Sequence, residues 1–207
     1  TQGYSSAASD VYKRQKEYDL LIAADEIYTT YLYEGDFRPI RTLPGMAERT
    51  ITLNSFSKNF LMTGWRVGVI IAEPEFLDVM NRINGSLVYS APSISQRAGI
   101  QALEMRKEIR EKYVTAYRDR IFYSADRIEK IPYLSLVRPK GTFYLFPKAL
   151  EEDANAFCRK AREFDLLLVP SDTFGVTGYV RLAYCIDTEK VKRSLPAFEK
   201  LAAAYRK

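Results

Sequence analysis

The chain has 207 residues, of which 47% are hydrophobic and 28% are charged, and its formal net charge is +5 at pH 7. This composition is typical of a folded globular protein, not of a disordered or low-complexity chain. The sequence contains no histidine. That absence excludes Ser-His-Asp hydrolases, histidine-ligated metal sites and a histidine general base.

Cysteine spacing, hydropathy and charge argue against further classes of protein. Cys158 and Cys185 stand far apart and form no CxxC motif. They therefore do not support a zinc site, and two isolated thiols fit a reducing, cytoplasmic compartment. The longest apolar runs have the length of a strand, so no membrane span is predicted. Acidic residues nearly cancel the basic ones in the most basic segment, 93–130, so no nucleic-acid partner is expected.

The first part of the chain predicts a tail followed by a layered sheet. Residues 1–14 have no sustained helical or strand period and are interpreted as a tail or a non-native junction. The apolar run 19–24 predicts a strand covered on both faces, and 50–54 and 67–72 predict two more. Longer connections between such strands indicate an α/β sheet, here within residues 15–92.

The second part predicts helices and then a smaller α+β domain. A helix begins near Pro74, and apolar residues at three- and four-residue steps predict one long helix over 93–130. Residues 133–137 and 142–146 predict a hairpin at the start of a small domain over 131–207. The other elements predicted there are a helix over 154–164, strands over 166–169 and 179–185, and a terminal helix starting near Asp187 and containing Pro196.

Chemistry-bearing side chains concentrate in one segment between two predicted strands, Ser55-Phe-Ser57-Lys58-Asn-Phe-Leu-Met-Thr-Gly64-Trp-Arg66-Val-Gly68. Hydroxyls and a guanidinium are suited to bind phosphate oxygens, and a guanidinium does so with two parallel hydrogen bonds. The amine of Lys58 is able to form a Schiff base with a carbonyl group. This combination predicts a site for one phosphorylated, carbonyl-bearing molecule.

The spacing S-x-S-K-x5-G-x-R-x-G resembles the lysine segment of the class I/II, fold-type I aminotransferases, which use pyridoxal 5′-phosphate. The resemblance implies that Lys58 carries the coenzyme as a Schiff base and that its free amine moves a proton at the substrate Cα. It also implies that Ser55, Ser57 and Arg66 bind the coenzyme phosphate. The alternative is a strand–turn–strand segment with a solvated lysine.

A second element of the same family lies at the end of the first strand. Asp25-Glu-Ile-Tyr28 is similar to the family's D-x-x-Y element and precedes Lys58 at the family's distance. By this resemblance Asp25 keeps the pyridine nitrogen protonated, so that the ring becomes an electron sink, and Tyr28 donates to the ring's phenolate oxygen. Taken alone, an acidic pair after a strand is usually part of a helix cap or a loop.

The third element is an arginine in an apolar strand. Arg181 stands in a Pro-x3-Phe-Gly-x2-Gly-Tyr-Val-Arg-Leu-x-Tyr context, spaced as in the family's segment that binds the substrate α-carboxylate, and the resemblance implies that role. An unpaired charge in a strand interior needs a partner. The alternative is an edge-strand arginine that reaches solvent or a nearby acid.

The resemblance also implies the architecture and partners. Residues 15–92 would form an incomplete coenzyme-binding large domain with a mixed, mostly parallel sheet, 93–130 an interdomain helix, and 131–207 a small C-terminal domain. The substrates would be an amino acid and a 2-oxo acid, and the protein a homodimer. The sequence holds no glycine-rich phosphate segment and no N-P-x-N-P-T-G stretch. We therefore expect the C-terminal half of such an enzyme, with exposed sheet edges and apolar helix faces.

Two alternatives remain open at this point. A carbon–sulfur β-lyase or a decarboxylase of the same fold would use the same lysine segment and differ only in which bond to Cα breaks. A non-enzymatic role, as a catalytically inactive fragment, is the second.

Overall fold

A computed structural model of the chain describes residues 13–15, 17–132 and 134–205. Residues 1–12 of the predicted tail, and Tyr133 at the start of the predicted hairpin, lie outside the described residues. The chain divides into two compact units. The first contains the residues up to Thr30 together with 36–109, and the second contains 31–35 and 110–207. In the described ranges, no helix is both long and apolar enough to cross a membrane.

The first unit is built on a three-stranded mixed sheet. Its strands are β1 (Ile22–Asp25), β2 (Thr50–Ser55) and β3 (Gly68–Ile71), in the spatial order β1-β2-β3. The pair β1–β2 is parallel and the pair β2–β3 is antiparallel. Each strand overlaps a run that the sequence predicts; β3 lies within its run, and β1 and β2 each end one residue beyond theirs.

The prediction that the first strand is covered on both faces is wrong for the described residues. Burial alternates along β1, where Ile22 and Ala24 are buried and Ala23 is exposed. The buried pair packs with Met46 on one face, and the partly buried Ile40 and Leu43 pack against this cluster. A continuous apolar run therefore does not by itself establish two covered faces. The apolar residues of β3 are exposed as well.

The α-helices of the first unit include α1 (Phe56–Asn59), α2 (Pro74–Leu87), α3 (Ser93–Glu104) and the start of α4 (Arg106–Ile128), and short 3-10 helices cover Ile40–Thr42, Ala47–Arg49 and Thr63–Trp65. Pro74 occupies the first turn of α2, as its fixed backbone angle favours. None of the residues of α2 is buried, and apolar side chains of α2 and α3 are exposed, as expected from the sequence; they include Val79, Ile83, Leu87, Ile94 and Ile100.

The single helix predicted over 93–130 is instead two helices, α3 and α4, separated at Met105. The carbonyl of Leu103 near the end of α3 accepts a hydrogen bond from the Arg106 guanidinium at 3.1 Å. A side-chain donor thus satisfies a carbonyl that a helix end leaves without its usual partner. Periodicity alone did not reveal this break, because the apolar spacing continues across it.

The second unit packs helices against a small antiparallel sheet. The strands β4 (Tyr144–Leu145), β5 (Val169–Pro170) and β6 (Val180–Ala183) lie in the order β4-β6-β5. The helices α5 (Ala154–Arg162) and α6 (Thr188–Ala203) begin after Asp153 and Asp187, whose carboxylates accept backbone N–H groups as N-caps. Its core combines α4, the sheet, α5 and α6, and includes Ile121, Ala125, Leu145, Phe157, Val180, Val191, Leu195 and Leu201.

The hairpin predicted over 133–146 is wrong. β4 pairs with β6, with Tyr144 opposite Ala183, and no strand forms over 134–139. The backbone before β4 is bonded elsewhere, since the N–H of Thr142 donates to the carbonyl of Tyr31 at 2.7 Å. Hydrogen bonds to a distant segment therefore replace the local pairing that the turn residues favour.

Candidate active site

The strand register of the first unit brings three motif segments to one edge of the sheet. Asp25 ends β1 opposite Leu53, and Ser55 ends β2 opposite Gly68. Since β3 runs antiparallel to β2, the residues before Gly68, including Arg66, also lie at this edge. From strand spacing and rise, the Cα atoms of Asp25 and Ser55 are about 8 Å apart. This edge is the carboxyl end of the parallel pair, where ligands of α/β sheets bind.

The lysine turn begins with a capped helix end. The Oγ of Ser55 accepts a hydrogen bond from the backbone N–H of Ser57 at 3.1 Å, and donates to the carbonyl of Val67 at 3.3 Å. Ser55 is therefore the N-cap of α1, the short helix that carries Lys58. Ser57 and Lys58 are both half-buried. To donate to a phosphate, the Ser55 hydroxyl would exchange its bond to Val67 for a bond to that ligand.

Asn54 fixes the same turn, and the sequence reasoning missed it. Its Oδ1 accepts the backbone N–H of Ser55 at 2.7 Å and the Asn59 side-chain amide at 2.6 Å. One amide oxygen thereby joins the last strand residue to the end of α1. Asparagine commonly bonds to nearby backbone in this way, which is the signal that could have identified it.

Arg66 has a left-handed backbone, with φ 54° and ψ 46°. For a residue other than glycine this conformation costs about 1 kcal/mol, and such residues often occur at functional sites. Its side chain is exposed, and its guanidinium donates to the carbonyl of Thr63 at 3.1 Å. Arg66 is thus exposed at this end of the sheet, and a guanidinium has further N–H groups that can bind an anion.

The end of β1 and the turn after it hold the two other coenzyme residues predicted from the sequence. Asp25 is exposed, and its Oδ1 accepts the backbone N–H of Ile27 at 3.4 Å. Tyr28 is half-buried in the following turn. The backbone N–H of Glu26 donates to the carbonyl of Leu53 at 2.9 Å, which extends the parallel ladder by one residue.

Glu26 links this turn to the next segment and was also missed. Desolvation raises the pKa of its carboxyl group, while the backbone N–H of Ile40 and the Arg41 guanidinium act in the opposite direction. Arg41 in turn pairs with Glu73 at 3.5 Å. The spacing of these three residues in the sequence gives no sign that they meet.

Arg181 belongs to the second unit, where aromatic rings surround it. It lies in β6, the middle strand of its sheet, so the edge-strand alternative does not describe it. The guanidinium carbon lies 4.8 Å from the centroid of the Tyr144 ring and 4.6 Å from that of Phe174. Its Nε is buried without a hydrogen-bond partner among the described residues.

The structure therefore brings six of the seven predicted site residues to one edge of the first unit; they are Asp25, Tyr28, Ser55, Ser57, Lys58 and Arg66. Together they offer a carboxylate, three hydroxyls, an amine and a guanidinium. In the described part of the chain, no group of three or more acidic or cysteine side chains could hold a metal ion.

Comparison with known proteins identifies the family. The sequence model described as "Aminotransferase class I and II" matches residues 7–198. The chain belongs to this family, which confirms the resemblance drawn from the lysine segment. It is 34% identical over 198 residues to an aspartate aminotransferase of Pinus pinaster, covering 87% of this chain and 40% of that protein. It is also 34% identical over 201 residues to aromatic-amino-acid aminotransferase 2 of Thermococcus litoralis, covering 89% of this chain and 49% of that protein.

Solved structures agree with this family. The crystal structure of an aromatic aminotransferase from Pyrococcus horikoshii matches with a TM-score of 0.91 and 29% identity, covering 97% of this chain and 56% of that one. An aspartate aminotransferase from Thermotoga maritima matches with a TM-score of 0.88 and 28% identity, covering 95% of this chain and 51% of that one. These matches confirm the α/β fold of fold-type I aminotransferases. The chain spans about half the length of the relatives that it matches.

Proposed function

We propose that the chain takes part in amino transfer between an amino acid and a 2-oxo acid with pyridoxal 5′-phosphate as coenzyme. The observation that supports this most strongly is the register of the first sheet. It brings the end of β1, the Ser55–Lys58 turn and the residues before β3 to one edge. The matched relatives named as aspartate and aromatic aminotransferases support the reaction class.

The donor set at this edge fits the chemistry of the coenzyme. A doubly charged phosphate is suited to the Arg66 guanidinium and the hydroxyls of Ser55 and Ser57. An aldehyde is suited to a primary amine, which Lys58 supplies as a Schiff base partner. A ring nitrogen that must carry a proton is suited to the Asp25 carboxylate. When bound, the coenzyme supplies an electron sink for the bonds to the substrate Cα.

Each protein group then has a distinct role. Asp25 would hold a proton on the ring nitrogen through a charge-assisted hydrogen bond worth about 1.5–3 kcal/mol. Tyr28 would donate to the ring oxygen and orient the ring. Lys58 would hold the coenzyme through its amine, and its free Nζ would move the proton at the substrate Cα as a general base and then a general acid. Arg66 would bind the phosphate end.

The second unit would supply recognition of the substrate. We assign Arg181 to the substrate α-carboxylate, because its buried Nε–H has no hydrogen-bond partner among the described residues. We also propose a cytoplasmic homodimer, on the strength of the family alone.

Incubation of the coenzyme-loaded protein with a panel of amino donors and 2-oxoglutarate tests this function. The proposal expects a 2-oxo acid product from the donor and glutamate from the acceptor in equal amounts. Release of ammonia together with a thiol would indicate the β-lyase alternative, and release of carbon dioxide the decarboxylase alternative. If no donor gives a product, the proposal is contradicted and the hypothesis of a catalytically inactive fragment remains.

A further inference from the structure

The guanidinium of Arg181 contacts two aromatic rings, where a buried cation would ordinarily contact an acidic side chain. In the described residues its guanidinium makes no ion pair, and its Nε has no hydrogen-bond partner. A half-buried charge without a counterion is costly unless other contacts compensate for lost water. The rings of Tyr144 and Phe174 are the attractive contacts that the structure gives it.

The two rings come from different elements of the second unit. Tyr144 lies in β4, where it is paired with Ala183 of β6, two residues beyond Arg181. Phe174 ends a 3-10 helix over Ser171–Phe174, and the chain then turns at Gly175, which has a φ of 75°. That positive φ favours glycine, which ends the 3-10 helix directly after Phe174.

Phe174 is an exposed aromatic residue, with 45% of its surface accessible. Its ring contacts the Phe146 ring at 6.1 Å between centroids, and the Phe146 ring stacks on Tyr179 at 5.6 Å. The ring that meets the guanidinium is therefore itself supported by two further rings.

We propose that Phe174 and Tyr144 are positioning residues that hold the Arg181 guanidinium in a fixed orientation for a carboxylate. The inference rests on the carboxylate-binding role proposed above for Arg181. Fixing a free arginine side chain costs up to about 2 kcal/mol of rotamer entropy. Rings that hold the guanidinium before binding remove part of that cost, so the carboxylate is bound more tightly.

Titration of the 207-residue chain with maleate, a dicarboxylate, tests the inference through the arginine Nε–Hε signals in the NMR spectrum. The Arg181 signal is assigned by its absence in Arg181→Gln. Phe174→Leu is expected to raise the dissociation constant about two- to fivefold, and the double variant with Tyr144→Leu about tenfold. Phe174→Tyr and Tyr144→Phe keep a ring at each position and should restore wild-type affinity.

Tyr205→Leu is the matched control, because the Tyr205 ring lies under another cation, Lys160, at 4.5 Å. It should leave maleate affinity unchanged, and thermal unfolding of each variant separates lost stability from lost affinity. Equal dissociation constants for wild type and Phe174→Leu would overturn the positioning role alone. A wild-type Arg181 signal that maleate does not move would instead contradict the carboxylate role of Arg181.

Discussion

The hydroxyl of Ser55 accepts the backbone N–H of Ser57 at 3.1 Å, one residue before the lysine. This bond joins the end of β2 to the start of α1, the short helix that carries Lys58. An amine that must meet an aldehyde in one geometry benefits from such an anchored turn.

Ser55→Ala removes this N-cap, and we expect a loss of about 1 kcal/mol of local stability. Hydrogen exchange of the Ser57 amide should then become about fivefold faster, because its acceptor is gone. Ser57→Ala is the control, since it keeps both the amide and the Ser55 hydroxyl. Equal exchange at position 57 in wild type and Ser55→Ala would show that the cap does not stabilise the turn.

Asp25→Asn tests the carboxylate at the end of β1. Without its charge, the proposed hydrogen bond to the ring nitrogen weakens, and coenzyme affinity should fall about 10- to 100-fold. A titration of the protein with pyridoxal 5′-phosphate, followed by absorbance, measures this. Asp36→Asn changes an exposed acid of the same unit and should have no effect. An unchanged dissociation constant for Asp25→Asn would remove Asp25 from the site.

The parts of the fold predicted from sequence are those set by local patterns. Continuous apolar runs located β1, β2 and β3, Pro74 located the start of α2, and Asp187 located the start of α6. The hairpin before β4 was predicted wrongly, because strand pairing depends on segments far apart in the chain. There the carbonyl of Tyr31 binds the N–H of Thr142 and replaces a local partner.

The candidate site, like the fold, was predicted from the sequence only in part. Its chemical groups follow from motif spacing, since Asp25, Lys58 and Arg66 each stand beside a strand end. The residues that hold those groups could not be found from sequence. Glu26 and Arg41 meet only after folding, and so do the rings around Arg181. Such contacts join segments whose separation in the chain carries no periodic signal.

Gly141→Ala should destabilise the second unit by about 1–3 kcal/mol. A Cβ at this position would lie 2.5 Å from the carbonyl oxygen of Tyr31, the same oxygen that accepts the Thr142 N–H. Gly85→Ala is the control, because a Cβ at this exposed position in the last turn of α2 meets no atom within 4 Å. That change should stabilise the helix by up to about 1 kcal/mol. Chemical denaturation compares the two, and similar effects would contradict the close approach at Gly141.

Alkaline pH should unfold the second unit through its buried tyrosines. Burial raises the pKa of Tyr31, Tyr33 and Tyr184 well above the ordinary value. The folded state thus binds these protons more tightly, so the stability they contribute is present below pH about 10 and is lost as pH rises further.

In a spectrophotometric titration, these phenols should ionise only together with the loss of folded structure seen by circular dichroism. Tyr184→Phe removes one late-ionising group and should move alkaline unfolding to higher pH. If all fifteen tyrosines ionised near pH 10 while the fold stayed intact, burial would not control them.

Reduction of the coenzyme-loaded protein with borohydride, followed by peptide mapping, tests the central claim most directly. The proposed Schiff base predicts a stable pyridoxyl label on Lys58 and no label on that peptide in Lys58→Ala. A label carried by a different lysine, or equal labelling of wild type and Lys58→Ala, would contradict the assignment of Lys58 as the amine that holds the coenzyme.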